Sequence, residues 1–201
     1  DAVGDLFEQV GKVRFQACHR RVQLRPGDFQ GGEVRVIELF GKAEDHDHYS
    51  KLAQQIRDAI NNKFLNRDTG VYAGGSQTEQ SMPLMWNVVP EDIRAKAASA
   101  LAESVKAAGC HIDCGVLGAK AVLNALSENG YADIAYNVAV QDTYPSWGWW
   151  VVNGATSLLE NWDLKATRDI SDNHIMFGEI GAWPYKALGG IFPDENNPGF
   201  K

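Results

Sequence analysis

The sequence lacks the features that mark several large classes of protein. No apolar run approaches the ~18 residues that a membrane-spanning helix needs, so we expect no membrane partner. Lys and Arg total 19 against 26 Asp and Glu, a net charge of −7, which argues against a nucleic-acid partner. There is no G-x-S-x-G, P-loop or G-x-G-x-x-G motif, so serine-hydrolase, phosphoryl-transfer and dinucleotide chemistry have no support.

Cysteine is also scarce, with three residues among 201, too few for a disulfide scaffold. Cys110 and Cys114 enclose His111 and Asp113, so a zinc site is conceivable in this stretch. A structural zinc site normally adds a second Cys pair, which the sequence does not have. Small buried thiols near a turn are therefore the better interpretation, and we predict no metal and no cofactor.

What the sequence does have is 44% hydrophobic residues, enough for the core of one domain or of two small ones. From residue 45 onward, apolar residues such as Tyr49, Leu52 and Ile56 recur at helical spacing. Helices joined by short turns are typical of stacked antiparallel helix pairs, so we predict an all-α fold. The predicted helices cover residues 45–64, 76–86, 90–108, 116–128, 131–140, 153–162 and 171–188.

The most unusual stretch is QDTYPSWGWW at residues 141–150. It contains Trp147, Trp149 and Trp150 around a glycine, in what we predict to be a loop between two helices. Exposed indole rings are unfavourable in water, so these side chains must either enter the core or line a pocket. The clustering favours a pocket, and sugar rings present C–H faces that stack on such walls. Trp147 and Trp149 are therefore candidate substrate contacts.

Candidate polar groups lie close to this stretch in the sequence. Glu160 follows in an apolar, predicted helical segment, where a carboxylate in a Trp-lined site could act as general base on water. A solvated surface charge is the ordinary alternative for such a residue. His174 lies at the start of the last predicted helix and is either a substrate contact or part of a capping segment. His111 and Asp113, in the loop before the fourth helix, either line the pocket or have a structural role.

At this point two segments resemble a known family. QDTYPSWGWWVVNGATSLLENW at 141–162 and SDNHIMFGEIGAWPYKALGGI at 171–191 are similar to signatures of bacterial α-L-rhamnosidases of glycoside hydrolase family seventy-eight. Weaker matches precede them in the same order at 48–64, 76–84 and 110–118. The resemblance implies that the antiparallel helix pairs form part of an (α/α)6 barrel.

The resemblance also implies a reaction, the hydrolysis of terminal α-L-rhamnosyl groups from glycosides with inversion. One carboxylic acid protonates the leaving oxygen and one carboxylate activates water, about 6.5–9.5 Å apart. Glu160 inherits the role of the family's base, and His174 is expected to contact the sugar. Asn161 stands where the family usually has Arg. Residues 1–45 contain no acidic, Trp-containing motif of the kind that carries the family's general acid, so the chain is expected to be a fragment without it.

The resemblance divides the chain into three parts. We expect an unmatched segment at 1–37, a partial (α/α)6-barrel catalytic domain at 38–192, and a linker to an absent C-terminal domain at 193–201. A partial barrel would expose apolar surface, so self-association is expected. Two alternatives stay open: a non-catalytic, rhamnose-binding helical fragment, or a related (α/α)6 glycosidase with another sugar preference. No signal peptide is visible, and the bacterial compartment, cytoplasm or periplasm, is undetermined.

Overall fold

The computed structural model describes residues 43–168 and 171–191, and these form two compact units. One comprises residues 43–63 and 86–88, and the other comprises 64–85 and 89–191, without residues 169–170. The predicted N-terminal segment at 1–37 and the predicted linker at 193–201 lie outside the described residues. Among the described helices, none is long and apolar enough to cross a membrane.

Helix α1, Ala43–Phe64, supplies most of the first unit. Glu44 and Asp45 lie in its first turn and Lys63 in its last, so the charge at each end is opposite to that of the helix dipole and stabilises the helix. Near its C-terminus, the Asn61 side-chain amide donates a 2.9 Å hydrogen bond to the carbonyl oxygen of Val88. The predicted first helix is thus confirmed.

A short hairpin opens the second unit. Strand β1, Leu65–Asn66, pairs antiparallel with β2, Val71–Tyr72. The Asn66 side-chain oxygen accepts hydrogen bonds from the backbone N–H groups of the next turn, and Gly70 takes a φ of 76°. The two strands beside this turn have two residues each, which is too short for their pattern to be visible in the sequence.

Four helices form the core of the second unit: α2 (Gln77–Met85), α3 (Glu91–Ala107), α4 (Val116–Glu128) and α5 (Ala132–Ala139). Helix α4 is the central one, because residues 118–119 and 121–126 are all buried and it packs against the other three. Small residues on α4 permit this close packing: a Cβ on Gly118 would stand 2.6 Å from the Cβ of Cys114. The predictions for all four helices are confirmed to within two residues at either end.

The C-terminal part differs from the prediction. Helix α6 covers Trp147–Val152, so the three tryptophans at 147–150 lie on a helix and not in the predicted loop, whereas residues 141–146 are non-helical. The Ser146 hydroxyl caps it by accepting a 2.9 Å hydrogen bond from Trp149 N–H, and Gly154, with a φ of 88°, follows its end. The helix predicted at 153–162 is therefore wrong, since the described residues 153–168 are turns, bends and irregular backbone.

The predicted last helix begins later than expected and changes type along its length. A 3₁₀ turn at Ile175–Gly178 leads into α7, Glu179–Trp183, and a π-helical turn at Pro184–Leu188. Residues 171–172, where the predicted helix begins, are not helical. His174 takes the capping position, and its Nδ1 accepts a 3.3 Å hydrogen bond from the backbone N–H of Met176.

Candidate active site around Glu160 and His174

Four aromatic rings pack into one cluster beside α6: Trp147, Trp150, Trp162 and Phe177. Trp150 and Trp162 stack at 4.5 Å with an interplanar angle of 24°. Trp147 meets Trp162 edge-on at 5.3 Å, and Phe177 packs edge-on against Trp162 at 4.7 Å. Each such contact adds about 0.5–1.5 kcal/mol to the burial of the rings themselves. The cluster thus holds elements that are distant in sequence.

The indole N–H groups of this cluster all donate to backbone carbonyls. Trp147 donates to Phe177 at 3.1 Å, and Trp150 to Trp162 at 3.2 Å. Trp162 donates at 2.8 Å to Cys114, in the loop before α4. These bonds offset the cost of burying the indole N–H.

The two tryptophans predicted to contact a substrate, Trp147 and Trp149, differ in burial. Trp147 is 6% exposed and lies in the core, so the structure does not present its ring as an open wall. Trp149 is half-buried and packs edge-on against Tyr144 at 6.0 Å. Their roles as sugar contacts stay predictions.

Glu160 lies in an irregular stretch, called here the Glu160 segment (residues 153–168 and 171–174). The backbone N–H of Glu160 donates to Ser171 O at 2.9 Å, and Ser171 N–H donates to Glu160 Oε2 at 3.2 Å. Two residues before Glu160, the Leu158 carbonyl accepts a 2.7 Å hydrogen bond from His174 N–H. Because this stretch is not helical, these hydrogen bonds are what position the Glu160 carboxylate.

His174 and Glu160 are brought together, as the sequence-based hypothesis requires. His174 Nε2 lies 3.7 Å from Glu160 Oε1, and the two side chains are 26% and 29% exposed. The imidazole ring also meets Phe177 edge-on at 6.4 Å. The pair is therefore half-buried at the edge of the aromatic cluster, accessible to a ligand and partly shielded from bulk water.

The loop that carries His111 and Asp113 is tied to the same region. The Gln77 side chain donates to His111 O and accepts from Asp113 N–H, both at 2.9 Å. The His111 ring lies 2.7 Å from the Thr143 hydroxyl and 3.3 Å from Ala108 O. The Asp113 residue is exposed. The backbone of this loop is therefore held by Gln77, and the His111 ring contacts Thr143 and Ala108.

The same loop contains the candidate zinc cysteines. Burial raises the pKa of the Cys114 thiol from its ordinary value of 9.0 to about 12, and the charge of Asp113 acts in the same direction. Within residues 43–168 and 171–191, no group of three or more His, Cys, Asp or Glu side chains could hold a metal ion.

Comparison with known proteins identifies the domain. Residues 34–188 match the family model of the bacterial alpha-L-rhamnosidase 6 hairpin glycosidase domain. The chain belongs to this family. The expected family and the all-α, (α/α)6-type fold are thus confirmed.

Named relatives agree with this assignment. An alpha-L-rhamnosidase of Streptomyces avermitilis is 32% identical over 167 residues, which are 80% of this chain and 16% of that protein. One of Formosa agariphila is 28% identical over 80% of this chain and 18% of its own length. The chain therefore spans less than a fifth of these curated relatives.

Solved structures show the same fold. The alpha-L-rhamnosidase of Dictyoglumus thermophilum superposes with a TM-score of 0.70 at 38% identity, over 76% of this chain and 18% of its own. The Streptomyces avermitilis alpha-L-rhamnosidase complexed with L-rhamnose gives 0.74 at 30% identity, over 83% of this chain and 16% of its own. The segments at 110–118, 141–162 and 171–191, which resemble family signatures, are connected in the structure. The hydrogen bond from Trp162 to Cys114 O joins the first two, and the hydrogen bonds between Glu160 and Ser171 join the last two.

Three contributors to the candidate site were not predicted. Gln77 holds the loop of His111 and Asp113, Trp162 anchors the Glu160 segment to Cys114, and Ser171 forms two hydrogen bonds with Glu160. A glutamine on the buried side of α2 was the one signal visible in the sequence, because an amide there needs partners. The other two act through contacts 11 and 48 residues away, which no local pattern reveals.

Proposed function

We propose that this chain supplies the water-activating part of an α-L-rhamnosidase active site. The reaction is hydrolysis of a terminal α-L-rhamnosyl group from a glycoside, with inversion, and Glu160 is the general base. The observation that supports this proposal is the half-buried Glu160 carboxylate, cross-linked to Ser171 and facing His174 at the edge of an aromatic cluster.

The geometry suits a general base. The Ser171 N–H donates to Glu160 Oε2 at 3.2 Å and holds that oxygen in place. Oε1 faces His174, and the side chain is 29% exposed, which leaves room for a water molecule beside Oε1. A partly exposed carboxylate can accept the proton of that water as it attacks the sugar.

The general acid is the other half of an inverting mechanism. It would be a second carboxyl group about 6.5–9.5 Å from Glu160, with the sugar and the water between them. Curated relatives are five to six times longer than the part that this chain matches, so we assign the acid to the remainder of the domain. His174, Trp149, His111 and Asp113 are proposed substrate contacts, with Trp147 supporting them from the core.

The test is hydrolysis of p-nitrophenyl α-L-rhamnoside by this chain and by Glu160→Gln. We expect the substitution to lower the rate by about 10²–10⁴-fold, since the amide cannot accept the water proton. Glu103→Gln is the matched control, because Glu103 is an exposed carboxylate on α3, paired with Lys106. Equal rates for wild type and Glu160→Gln would refute the role of Glu160. Binding of L-rhamnose without turnover would favour the non-catalytic alternative.

The stereochemical course is a separate test of the same proposal. Proton NMR of the first product formed should show β-L-rhamnose from the α-linked substrate if water attacks directly. Initial release of the α anomer would contradict inversion. A panel of other glycosides distinguishes a rhamnosidase from a related enzyme with another sugar preference.

A further inference from the structure

His174 is engaged on both sides of its imidazole ring. On one side, Nδ1 lies 3.3 Å from the backbone nitrogen of Met176. On the other, Nε2 lies 3.7 Å from Glu160 Oε1. The backbone of His174 is also held, through its N–H to Leu158 O at 2.7 Å. The hydrogen bond at Nδ1 fixes the direction of the ring, and Nε2 then faces Glu160 Oε1 at a distance longer than a direct hydrogen bond.

The contact with Met176 determines which ring nitrogen carries the proton. A backbone N–H can only donate, so Nδ1 must offer its lone pair. A neutral imidazole has one N–H, which is then on Nε2. This N–H is on the side of the ring that faces Glu160.

The carboxylate shows the complementary arrangement. Glu160 Oε2 accepts from Ser171 N–H, and Oε1 is the oxygen nearest the imidazole. We propose that His174, in its Nε2–H tautomer, is a positioning residue for Glu160: its N–H faces Oε1 across 3.7 Å and orients that oxygen by electrostatic attraction, while the Ser171 hydrogen bond holds Oε2. This inference rests on the proposed role of Glu160 as base and adds to it a group that orients the base.

A second histidine in the same region provides an internal comparison. His111 Nδ1 lies 3.3 Å from the carbonyl oxygen of Ala108, which can only accept, so this nitrogen carries the proton. Its Nε2 then accepts from the Thr143 hydroxyl at 2.7 Å. We therefore expect opposite tautomers for the two histidines, so that each serves as a control for the other in one spectrum.

The tautomers are measured directly by long-range ¹H–¹⁵N correlation NMR on the full chain with labelled histidine, at about pH 8.5, where an ordinary imidazole is neutral. We expect the protonated nitrogen of His174 to be Nε2 and that of His111 to be Nδ1. Assignment uses the loss of one signal set in His174→Gln and in His111→Gln. A Nδ1–H tautomer of His174 would overturn the proposal, and this readout requires no activity.

The contact with Glu160 is tested by two variants of His174. His174→Gln retains an N–H group near the position of Nε2, whereas His174→Asn retains an acceptor near that of Nδ1. With ¹³C-labelled glutamate, we expect the carboxyl resonance of Glu160, assigned by its loss in Glu160→Gln, to move in His174→Asn and to return towards its original position in His174→Gln. Equal displacement in both variants, or none in either, would contradict positioning by Nε2–H.

Kinetics separate positioning from a contact with sugar alone. If the chain hydrolyses the rhamnoside, His174→Asn should lower kcat by about 10- to 100-fold with little change in KM, and His174→Gln should recover much of it. A rise in KM that is equal in both variants would overturn the proposal. Absence of all hydrolysis would count against the proposed function, and the two NMR measurements would still decide the inference.

Discussion

Trp162, two residues after the candidate base Glu160, links this part of the chain to the rest of the second unit. Its ring stacks on Trp150, and its indole N–H reaches Cys114 O at 2.8 Å. The Glu160 segment has no helix or strand of its own to resist movement. Its geometry therefore depends on this one anchored side chain and on the cross-links to residues 171–174.

Replacing Trp162 separates ring packing from the hydrogen bond. Trp162→Phe keeps an aromatic ring but removes the N–H, so we expect a loss of about 1–2 kcal/mol in the free energy of unfolding. Trp162→Ala should cost about 3–5 kcal/mol, because it also leaves a cavity beside Trp150 and Phe177. Urea unfolding followed by far-UV circular dichroism measures both. Trp149→Phe is the control, and a cost there as large as in Trp162→Phe would contradict the anchoring role.

The buried thiol of Cys114 predicts a loss of stability in alkali. Burial raises its pKa from 9.0 to about 12, so the unfolded chain gives up this proton first as the pH rises. The folded state then binds more protons than the unfolded state, and the free energy of unfolding falls between about pH 9 and 12. The slope from this group is at most about 1.4 kcal/mol per pH unit.

This effect is checked by urea unfolding at about pH 8, 9.5 and 11, with Cys114→Ala as the comparison. The variant should lose less stability with rising pH than the wild type, because its thiol contribution is gone. Tyr72, whose pKa burial raises from 10.0 to about 12, maintains part of the decline in both proteins. Parallel curves for the two proteins would refute the contribution of Cys114.

Much of the candidate site could be predicted from residue identity, whereas the rest depends on contacts between residues distant in sequence. Glu160 and His174 could be selected because a carboxylate and an imidazole follow a Trp-rich stretch in segments that resemble a family signature. The same reasoning placed Trp147 at a pocket wall, whereas it is 6% exposed. Whether an indole ring enters the core or faces a cavity depends on neighbours distant in sequence, which composition does not reveal.

At the scale of elements, helical periodicity predicted α1–α5 and then failed after α6. Residues 155, 158, 159 and 162 are spaced as on a helix face, which favoured a helix at 153–162. The backbone there pairs with residues 171–174, and the side chain of Trp162 enters the aromatic cluster. Tertiary contacts thus overrode a local pattern that is short and follows a glycine at a φ of 88°.

The packing of α4 on α2 predicts a clear difference between two glycines. In Gly118→Ala, the new Cβ would overlap the Thr78 hydroxyl and stand 2.6 Å from Cys114 Cβ, so we expect a loss of about 1–3 kcal/mol. Gly181→Ala, on α7, meets nothing within 4 Å and should stabilise the chain by about 0.5–1 kcal/mol through helix propensity. Thermal unfolding monitored at 222 nm compares them. Equal midpoints for the two variants would mean that α4 and α2 are not tightly packed.

At the scale of the whole molecule, the chain is a small part of the proteins it resembles. It matches 16–18% of the length of two curated relatives, while the family model covers residues 34–188 of its own 201. Its fold class could be predicted because the helices repeat a regular pattern. Its division at residues 37 and 193 stays a proposal, because both ends lie outside the described residues.

The last prediction concerns association between copies of this chain. Several large apolar side chains are exposed among the described residues, including Ile175 at 85%, Val151 at 71% and Tyr185 at 67%. Apolar surface of this kind favours self-association in water, so light scattering after size exclusion should give a mass above the 22.1 kDa monomer, rising with concentration. Ile175→Ser should lower that mass, and Asp142→Ser, at an exposed polar residue, should not. A monomer at every concentration would contradict the prediction, because these apolar side chains would then remain exposed to water without driving association.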